Sequence, residues 1–413
     1  MEYVEETTRR LPVADRYDIV VAGAGIAGAA AALAAARTGS QVALLERCFA
    51  PGGLATLGNV IVYLPLCDGC GRQVIAGIAE ELLLRSVADL RSDDPDAGLR
   101  RVPACWREAG EGDDAELRER ERYKASFNPA AFTLALEEVL LAAGVEIWYD
   151  TRACSVIRAN ERITHLLVEN KDGRSAIGCG AVVDATGDAD VCALAGERTE
   201  TLRTNVLAAW HYLIDDGRLV LRKMSRRFSD SGLLEGSDGP FFSGVDARGL
   251  TRHAIESRSL VREQLATRRA EQPAHDVQPF ALPALPDVRM TRRLVGEATL
   301  AGDDVHRWFD DAVGLTGDWR HAGPVWSIPY RAIRGVANAN LLVAGRCISS
   351  AGRAWDVTRA IPTCALTGEA AGVAAATVCR DGGDARSADV SAIQERLRRA
   401  GVLLDPALVE PAG

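Results

Sequence analysis

The chain has 413 residues, 47% of them hydrophobic and 25% charged, a length and composition for about two to three ordinary globular domains. A formal net charge of -9 implies no strongly basic face, so nucleic acid is not an expected partner. The polar opening MEYVEETTRRLPVADR lacks a signal-peptide core, the run Ile26–Ala36 is too short for a membrane span, and ten cysteines are few for a disulfide scaffold; a cytoplasmic setting with free thiols is expected.

The first ordered unit is YDIVVAGAGIAGAAAALAAARTGSQVALLER. It predicts a strand over Tyr17–Ala22, a glycine turn, a small-residue helix over Ile26–Arg37 stopped by Gly39, and a second strand over Gln41–Leu45. Helical spacing follows over 72–90, and the charged residues 91–124 predict an excursion over the surface. Asn128 as cap, Pro129 in the first turn and Gly144 at the exit frame a helix, with a strand over Val145–Tyr149 after it. Short β-branched runs with a turn at Asp172-Gly173 then predict an antiparallel meander that ends in a parallel strand, Ala181–Ala185. From about residue 201 the α/β rhythm breaks. Strand-like VLAAWHYLI, a long charged helix near Leu250–Gln272 and a Pro-rich link predict an inserted α+β substrate domain over 201–335. The chain returns through the strand at 340–345 and the helix CALTGEAAGVAAATVC, so the first domain is discontinuous, 15–200 plus 336–382, with 383–413 a C-terminal helix and tail.

The chemistry is concentrated at Gly23, Gly25 and Gly28, between strand and helix. The first glycine permits the tight turn, the second lets a diphosphate approach the backbone, and the third lets helix and strand pack closely. Glu46 closes the second strand, where a carboxylate accepts ribose hydroxyls and repels a 2′-phosphate. No second such motif follows, so one dinucleotide site is expected. Thr186-Gly187 at a parallel strand end, and the helix start Pro362-Thr363-Cys364 with its free N–H groups, favour FAD as that dinucleotide.

The segments ERCFAPGGLATLGNV, LPLCDGCGRQVIAGIAEELL, VVDATGDADV, RMTRRLVGE and AGRCIS…TRAIPTCALTGEAAGVAAA resemble bacterial FAD-dependent oxidoreductases of the glutathione-reductase-like fold, distant relatives of fumarate reductase and succinate dehydrogenase flavoproteins. The resemblance covers most of 15–200 and 285–380; residues 200–285 have no counterpart in it. It implies an α/β architecture: a Rossmann-like FAD-binding domain of glutathione-reductase type with a β-meander, and noncovalent FAD. It places Gly23, Gly25, Gly28, Glu46 and Arg47 at the adenosine diphosphate, and Gly52, Gly53 and Leu54 near the diphosphate and ribityl chain. Ala153 falls at the adenine with Thr186 and Gly187 nearby, and Gly345, Arg346, Pro362 and Thr363 run along the ribityl and isoalloxazine.

One departure from the family pattern concerns acid–base chemistry. Members often carry a histidine in the loop after RCIS, where this chain reads SAGRAWDVTR, with Gly352 and Arg353 at that place. Asp356 or a neighbour is therefore the expected proton handler, and Arg359, which matches the family pattern, the group that steadies an anionic substrate or reduced flavin. Arg292 lies on an expected strand, as a carboxylate clamp or a surface ion pair. His211 either touches substrate or packs. The Cys67–Cys70 pair lacks two further zinc ligands, no histidine has a partner at metal-ligand spacing, and no metal site is expected. The pair also departs from the C-x-x-x-x-C of flavin disulfide reductases. Cys67 is expected as an active-site-lining thiol, Cys70 as a bystander. The expected activity moves a hydride equivalent between a small organic molecule and flavin, with oxygen, a quinone or a carrier protein as electron acceptor. A flavin monooxygenase using NAD(P)H transiently, or a flavin-bearing subunit of a larger redox complex, are the alternatives.

Overall fold

The computed structural model describes residue 4 and residues 10–89, 101–107, 115–229 and 234–412. Strand β1 (Val13–Ala22) enters the glycine turn, α1 (Ile26–Arg37) follows, and β2 (Val42–Leu45) pairs parallel with β1. The helix expected over 72–90 is confined to α2 (Ile78–Ser86), because Gly77 at φ 68° breaks the backbone before it. The short strand β3 (Val62–Tyr63) pairs with β4 (Ala125–Ser126), and α3 (Ala115–Arg120) lies within the expected surface excursion, of which 91–100 and 108–114 fall outside the described residues. Helix α4 (Pro129–Ala142) starts where its cap predicts: Asn128 Oδ1 accepts from Ala130 N at 2.9 Å.

The strands β5 (Glu146–Trp148), β6 (Arg152–Ala159), β7 (Arg162–Asn170) and β8 (Gly173–Asp184) complete the main sheet, in the order β5-β2-β1-β8-β7-β6. The long β8 serves two partners. Its first half pairs antiparallel with β7, forming the meander, and its second half runs parallel to β1 and to β16 (Leu341–Val343). Helix α5 (Asp190–Leu194) follows β8, and β9 (Thr199–Thr201) pairs with β13 (Arg292–Leu294).

Between β9 and β13 lies the inserted module. It holds the sheet β11-β10-β12, made of β10 (Ala208–Asp215), β11 (Arg218–Ser225) and β12 (Val277–Ala281), covered by α6 (Ala247–Glu271). Its apolar clusters use residues between Leu207 and Val277 only, such as Leu213, Val261 and Leu265. Leu294, Leu315, Trp326 and Ile333, expected in the same domain, instead join the main core. The physical reason is the hairpin β14 (Ala312–Gly317) and β15 (Val325–Pro329), which packs on a main-body helix: a Cβ built at Gly314 would stand 2.6 Å from the Leu366 side chain. His211 is a packing residue of this module, fully buried, with Nε2 3.2 Å from Gln264 Oε1 of α6.

After β16 come α7 (Gly352–Thr358), α8 (Ile361–Arg380) and α9 (Val390–Arg399). Helices α1 and α8 pack against each other through small residues. A Cβ at Gly368 would stand 2.2 Å from Ala27 O, and one at Gly372 2.3 Å from Ala31 O, so the backbones meet at a spacing that only glycine allows. Among the described residues, α8 alone is long and apolar enough to cross a membrane, and 89% of its apolar window is buried inside the protein.

Candidate functional site: a dinucleotide cleft under an inserted module

Loops at the carboxyl ends of β1, β2, β8 and β16 converge on one cleft of about 1290 Å³, part of it open to solvent. The three motif glycines have distinct roles there. Gly23, at φ 95°, would place a Cβ 2.6 Å from Ala185 O, and a Cβ at Gly28 would stand 1.8 Å from Gly23 O, so both are fixed by the packing of α1 on the sheet. Gly25 would meet nothing within 4 Å. Its bare face is turned to the cleft, at the N-terminus of α1, where N–H groups and helix dipole favour a diphosphate. The second glycine pair backs onto the first: Gly52 N donates to Ala24 O at 2.7 Å, and a Cβ at Gly53 would approach Gly25 Cα to 3.1 Å. Leu54 continues the same wall.

At the adenosine end, Glu46 is buried, with Oε2 accepting from Ala24 N at 2.8 Å and Oε1 from Cys48 N at 2.9 Å. The carboxylate is thus oriented by backbone and retains lone pairs for ribose hydroxyls. Arg47 and Ala153 line the same end, as does Arg152, which the sequence did not single out.

Thr186 and Gly187 form the floor opposite α1. Thr186 Oγ1 donates to Asp184 Oδ1 at 2.7 Å and accepts from Asp190 N at 3.0 Å, which stiffens the turn after β8. Gly345, at φ 79°, would drive a Cβ to 2.7 Å from the Ala27 methyl. Arg346 lines the cleft as a brace: it donates to Gly187 O and Val288 O, each at 2.7 Å, and to Asp188 Oδ1 at 2.6 Å. Burial works against its charge, yet Asp188 outweighs that effect and holds its pKa above the ordinary value.

At the far end the wall is Ile361 and Cys364, at the start of α8, together with Arg359. Pro362 and Thr363, expected along the cofactor, are turned into the core; Thr363 Oγ1 lies 2.8 Å from Thr316 Oγ1. Asp356 is fully buried outside the cleft wall and is gripped by two arginines, Arg359 and Arg320. Asp356, expected as the proton handler, therefore has no face on the cleft and serves as a counter-charge that orients Arg359. One turn earlier on α7, Arg353 donates to Asp318 Oδ2 at 2.6 Å, and His321 Nδ1 lies 3.1 Å from the same oxygen. Helix α7 and the tip of the β14–β15 hairpin are thus locked by two ion pairs of opposite polarity.

Two further expectations are corrected by geometry. Arg292 is no clamp at the cleft: its guanidinium is spent on Asp188 O at 2.8 Å and Asp190 Oδ1 at 2.6 Å, the ion-pair alternative. Cys67 does not line the cleft. It is 1% exposed, its Sγ accepts from Tyr123 N at 3.4 Å, and burial pushes its pKa up, so the thiol has neither access nor thiolate character. The loop's organiser is Asp68, fully buried, which accepts from Cys70 N at 2.8 Å and Arg72 Nε at 2.6 Å. All ten cysteines are free, and among the described residues no cluster of His, Cys, Asp and Glu has metal-holding geometry. Cys67→Ala is expected to lower stability by about 1 kcal/mol and leave the flavin absorption band and turnover unchanged; a shifted band would return the thiol to the ring.

Besides Arg152, the sequence missed residues of the inserted module. Leu250 of α6, with Leu285, Pro286 and Val288 of the returning loop, closes over the cleft. None carries a motif, and only tertiary folding brings them there.

A parallel sheet with a meander, an open-faced glycine at a helix start, a ribose-facing acid and one continuous cleft define a dinucleotide-binding flavoprotein. The chain belongs to the family described as FAD dependent oxidoreductase, whose model matches residues 18–205 and 207–397. It is an FAD-dependent oxidoreductase enzyme. No curated protein matches it in sequence. Among solved structures it is similar to CabE, an aromatic hydroxylase from angucycline biosynthesis, at 14% identity and TM-score 0.47, covering 93% of this chain and 66% of that one. It is also similar to the apo Sdh1 complex of Mycobacterium smegmatis, at 13% identity and TM-score 0.45 over 93% and 72% of the two chains. A third is the L-amino acid deaminase of Proteus myxofaciens in complex with anthranilate, at 15% identity and TM-score 0.42 over 95% of each chain.

Proposed function

We propose that the enzyme moves a hydride equivalent between a small organic molecule and FAD, with electrons passing to an external acceptor: oxygen, a quinone or a carrier protein. The observation that carries this reading is the closure of the cleft's wall by Leu250, Leu285, Pro286 and Val288, which come from outside the dinucleotide-binding framework. A cofactor cleft lined in part by a separate module offers room for a substrate between that module and the cleft's far end, marked by Arg359 and Cys364.

FAD, when bound, supplies the two-electron chemistry. The chain's own residues do the rest. Gly25 and the N-terminus of α1 receive the diphosphate, Glu46 the ribose, and Arg346 braces the turn beneath. Arg359, held by Asp356, presents a fixed positive charge at the far end, beside the apolar side chains of the inserted module.

The test is anaerobic bleaching of the FAD-loaded protein with a panel of organic acids, amines and alcohols, followed by turnover with an artificial electron acceptor. Bleaching by a member of the panel and sustained turnover by the chain alone are expected. Rapid bleaching by NAD(P)H followed by oxygen insertion would replace this reading with the monooxygenase. Absence of turnover without a partner protein would make the chain a subunit of a larger redox complex.

A further inference from the structure

The returning loop of the inserted module carries an arginine that the cofactor cleft does not use. Arg289 is anchored by its main chain, whose N–H donates to Asn205 Oδ1 at 2.6 Å, while the carbonyl of the preceding Val288 is held by Arg346 at 2.7 Å. Its side chain is only 19% exposed. Yet its guanidinium makes no hydrogen bond to any described residue. The nearest carboxylate oxygen, Asp287 Oδ2, stands 3.8 Å away, beyond hydrogen-bonding distance, and is itself a buried oxygen with no hydrogen-bond partner.

What Arg289 does face is an aromatic ring. Its Cζ lies 4.9 Å from the centre of Phe228, and Arg359 Cζ lies 5.8 Å from the same ring. Arg359 lines the far end of the cofactor cleft, so two guanidinium groups flank one ring beside the expected reacting centre. Burial lowers the Arg289 pKa, Asp287 partly offsets this, and the neighbouring charge of Arg359 lowers it further. An arginine remains charged under such pressure. A half-sheltered guanidinium whose donors meet no protein acceptor among the described residues is open to an oxyanion that accepts its paired N–H groups.

We propose that Arg289, together with Arg359, recognises the carboxylate of a small organic acid whose body lies against the Phe228 ring. The proposal rests on the functional reading above, since it names the substrate class for the space at the far end of the cleft. One guanidinium fork and a second, Asp356-held positive charge beside an aromatic face suit a planar monoanion. A dianion such as phosphate suits the site less, because Asp287 and Asp356 stand beside the two arginines and a second negative charge would meet them at close range.

The test is calorimetric titration of the FAD-loaded protein with benzoate, pyruvate and crotonate, each against its uncharged amide and against inorganic phosphate. Wild type is compared with Arg289→Gln and Arg289→Lys, and flavin absorbance is read in the same samples. At least one acid should bind and perturb the flavin band, with its amide and phosphate at least ~10-fold weaker. Arg289→Gln should weaken that acid by about 10- to 100-fold, and Arg289→Lys by less, with FAD content unchanged in both. The proposal is overturned if no acid binds, if an amide binds as well as its acid, or if Arg289→Gln leaves the affinity unaltered. The heat of binding is measurable with or without flavin. An acid that binds through Arg289 without moving the flavin band would therefore overturn the functional reading while supporting the anion site.

Discussion

Gly25→Ala should yield a folded, colourless protein. The two motif glycines that look alike in sequence differ in what a methyl group would meet, and the difference separates binding from folding. At Gly25 a Cβ has nothing within 4 Å, so the substitution leaves the apo fold and its melting temperature unchanged. The methyl projects into the space where the diphosphate must approach the α1 N–H groups, and FAD affinity should fall by about 100-fold or more. At Gly28 the same methyl would stand 1.8 Å from Gly23 O, which forces α1 off the sheet. Gly28→Ala should therefore destabilise the apo protein by several kcal/mol, on the order of a severe overpacking, and lose FAD as a consequence. Thermal unfolding with and without FAD, beside the absorbance of the purified proteins, measures both. If Gly25→Ala retains FAD at wild-type affinity, the cleft is not the cofactor site.

The second large effect concerns Glu369, buried in α8. Its carboxylate accepts from Ile78 N at 2.8 Å, at the start of α2, and is 1% exposed. Burial pushes its pKa up to about 8 from 4.5, with the Ile78 N–H and Arg37 opposing and Glu81 adding to the rise. The native state therefore holds a proton that the unfolded chain has released between these two values. Stability is fully present below the unfolded pKa and is lost as pH rises through the folded one. The span corresponds to a loss of about 5 kcal/mol at most. Glu369→Gln keeps an acceptor for Ile78 N and removes the ionisation. The variant should match the wild type near pH 5 and exceed it increasingly up to pH 9, measured by denaturant unfolding across that range. A difference that does not change with pH would show that the carboxyl ionises without penalty.

What the sequence disclosed follows from how local each feature is. The glycine loop, Glu46 and the cap Asn128 are backbone requirements satisfied within a few residues, so spacing alone locates them. Ala153 and Gly345, named through family likeness, line the same cleft as Gly25 and Glu46. The far end is not. Arg292 and Arg289 sit three residues apart in one segment, and nothing in the pattern says that the first guanidinium is consumed by Asp190 while the second has no hydrogen-bonded partner among the described residues. Asp356 reads as a candidate proton handler until Arg320, from a hairpin in a part of the chain assigned to another domain, is seen to grip it. The shared core is hidden in the same way: residues 292–333 follow the insertion in sequence, yet apolar side chains among them pack with α8 and the main sheet. Charge partners and shared cores are long-range facts that no period or motif encodes.

The glycine-to-alanine contact of α1 with α8 also sets a schedule for making the protein. Ala27 and Gly368 touch across about 340 residues of chain, a separation of the kind that slows folding. During synthesis the strand β1, its glycine loop and α1 leave the ribosome well before the helix that completes their packing. At ~5–20 residues per second, the apolar face of α1 waits on the order of tens of seconds for α8. The inserted module, with its own small cores, emerges during that wait and can form first. A cell producing this enzyme must shield an unpaired alanine-rich face over that interval. Holding-type chaperones should therefore associate preferentially with nascent chains that end before residue 361.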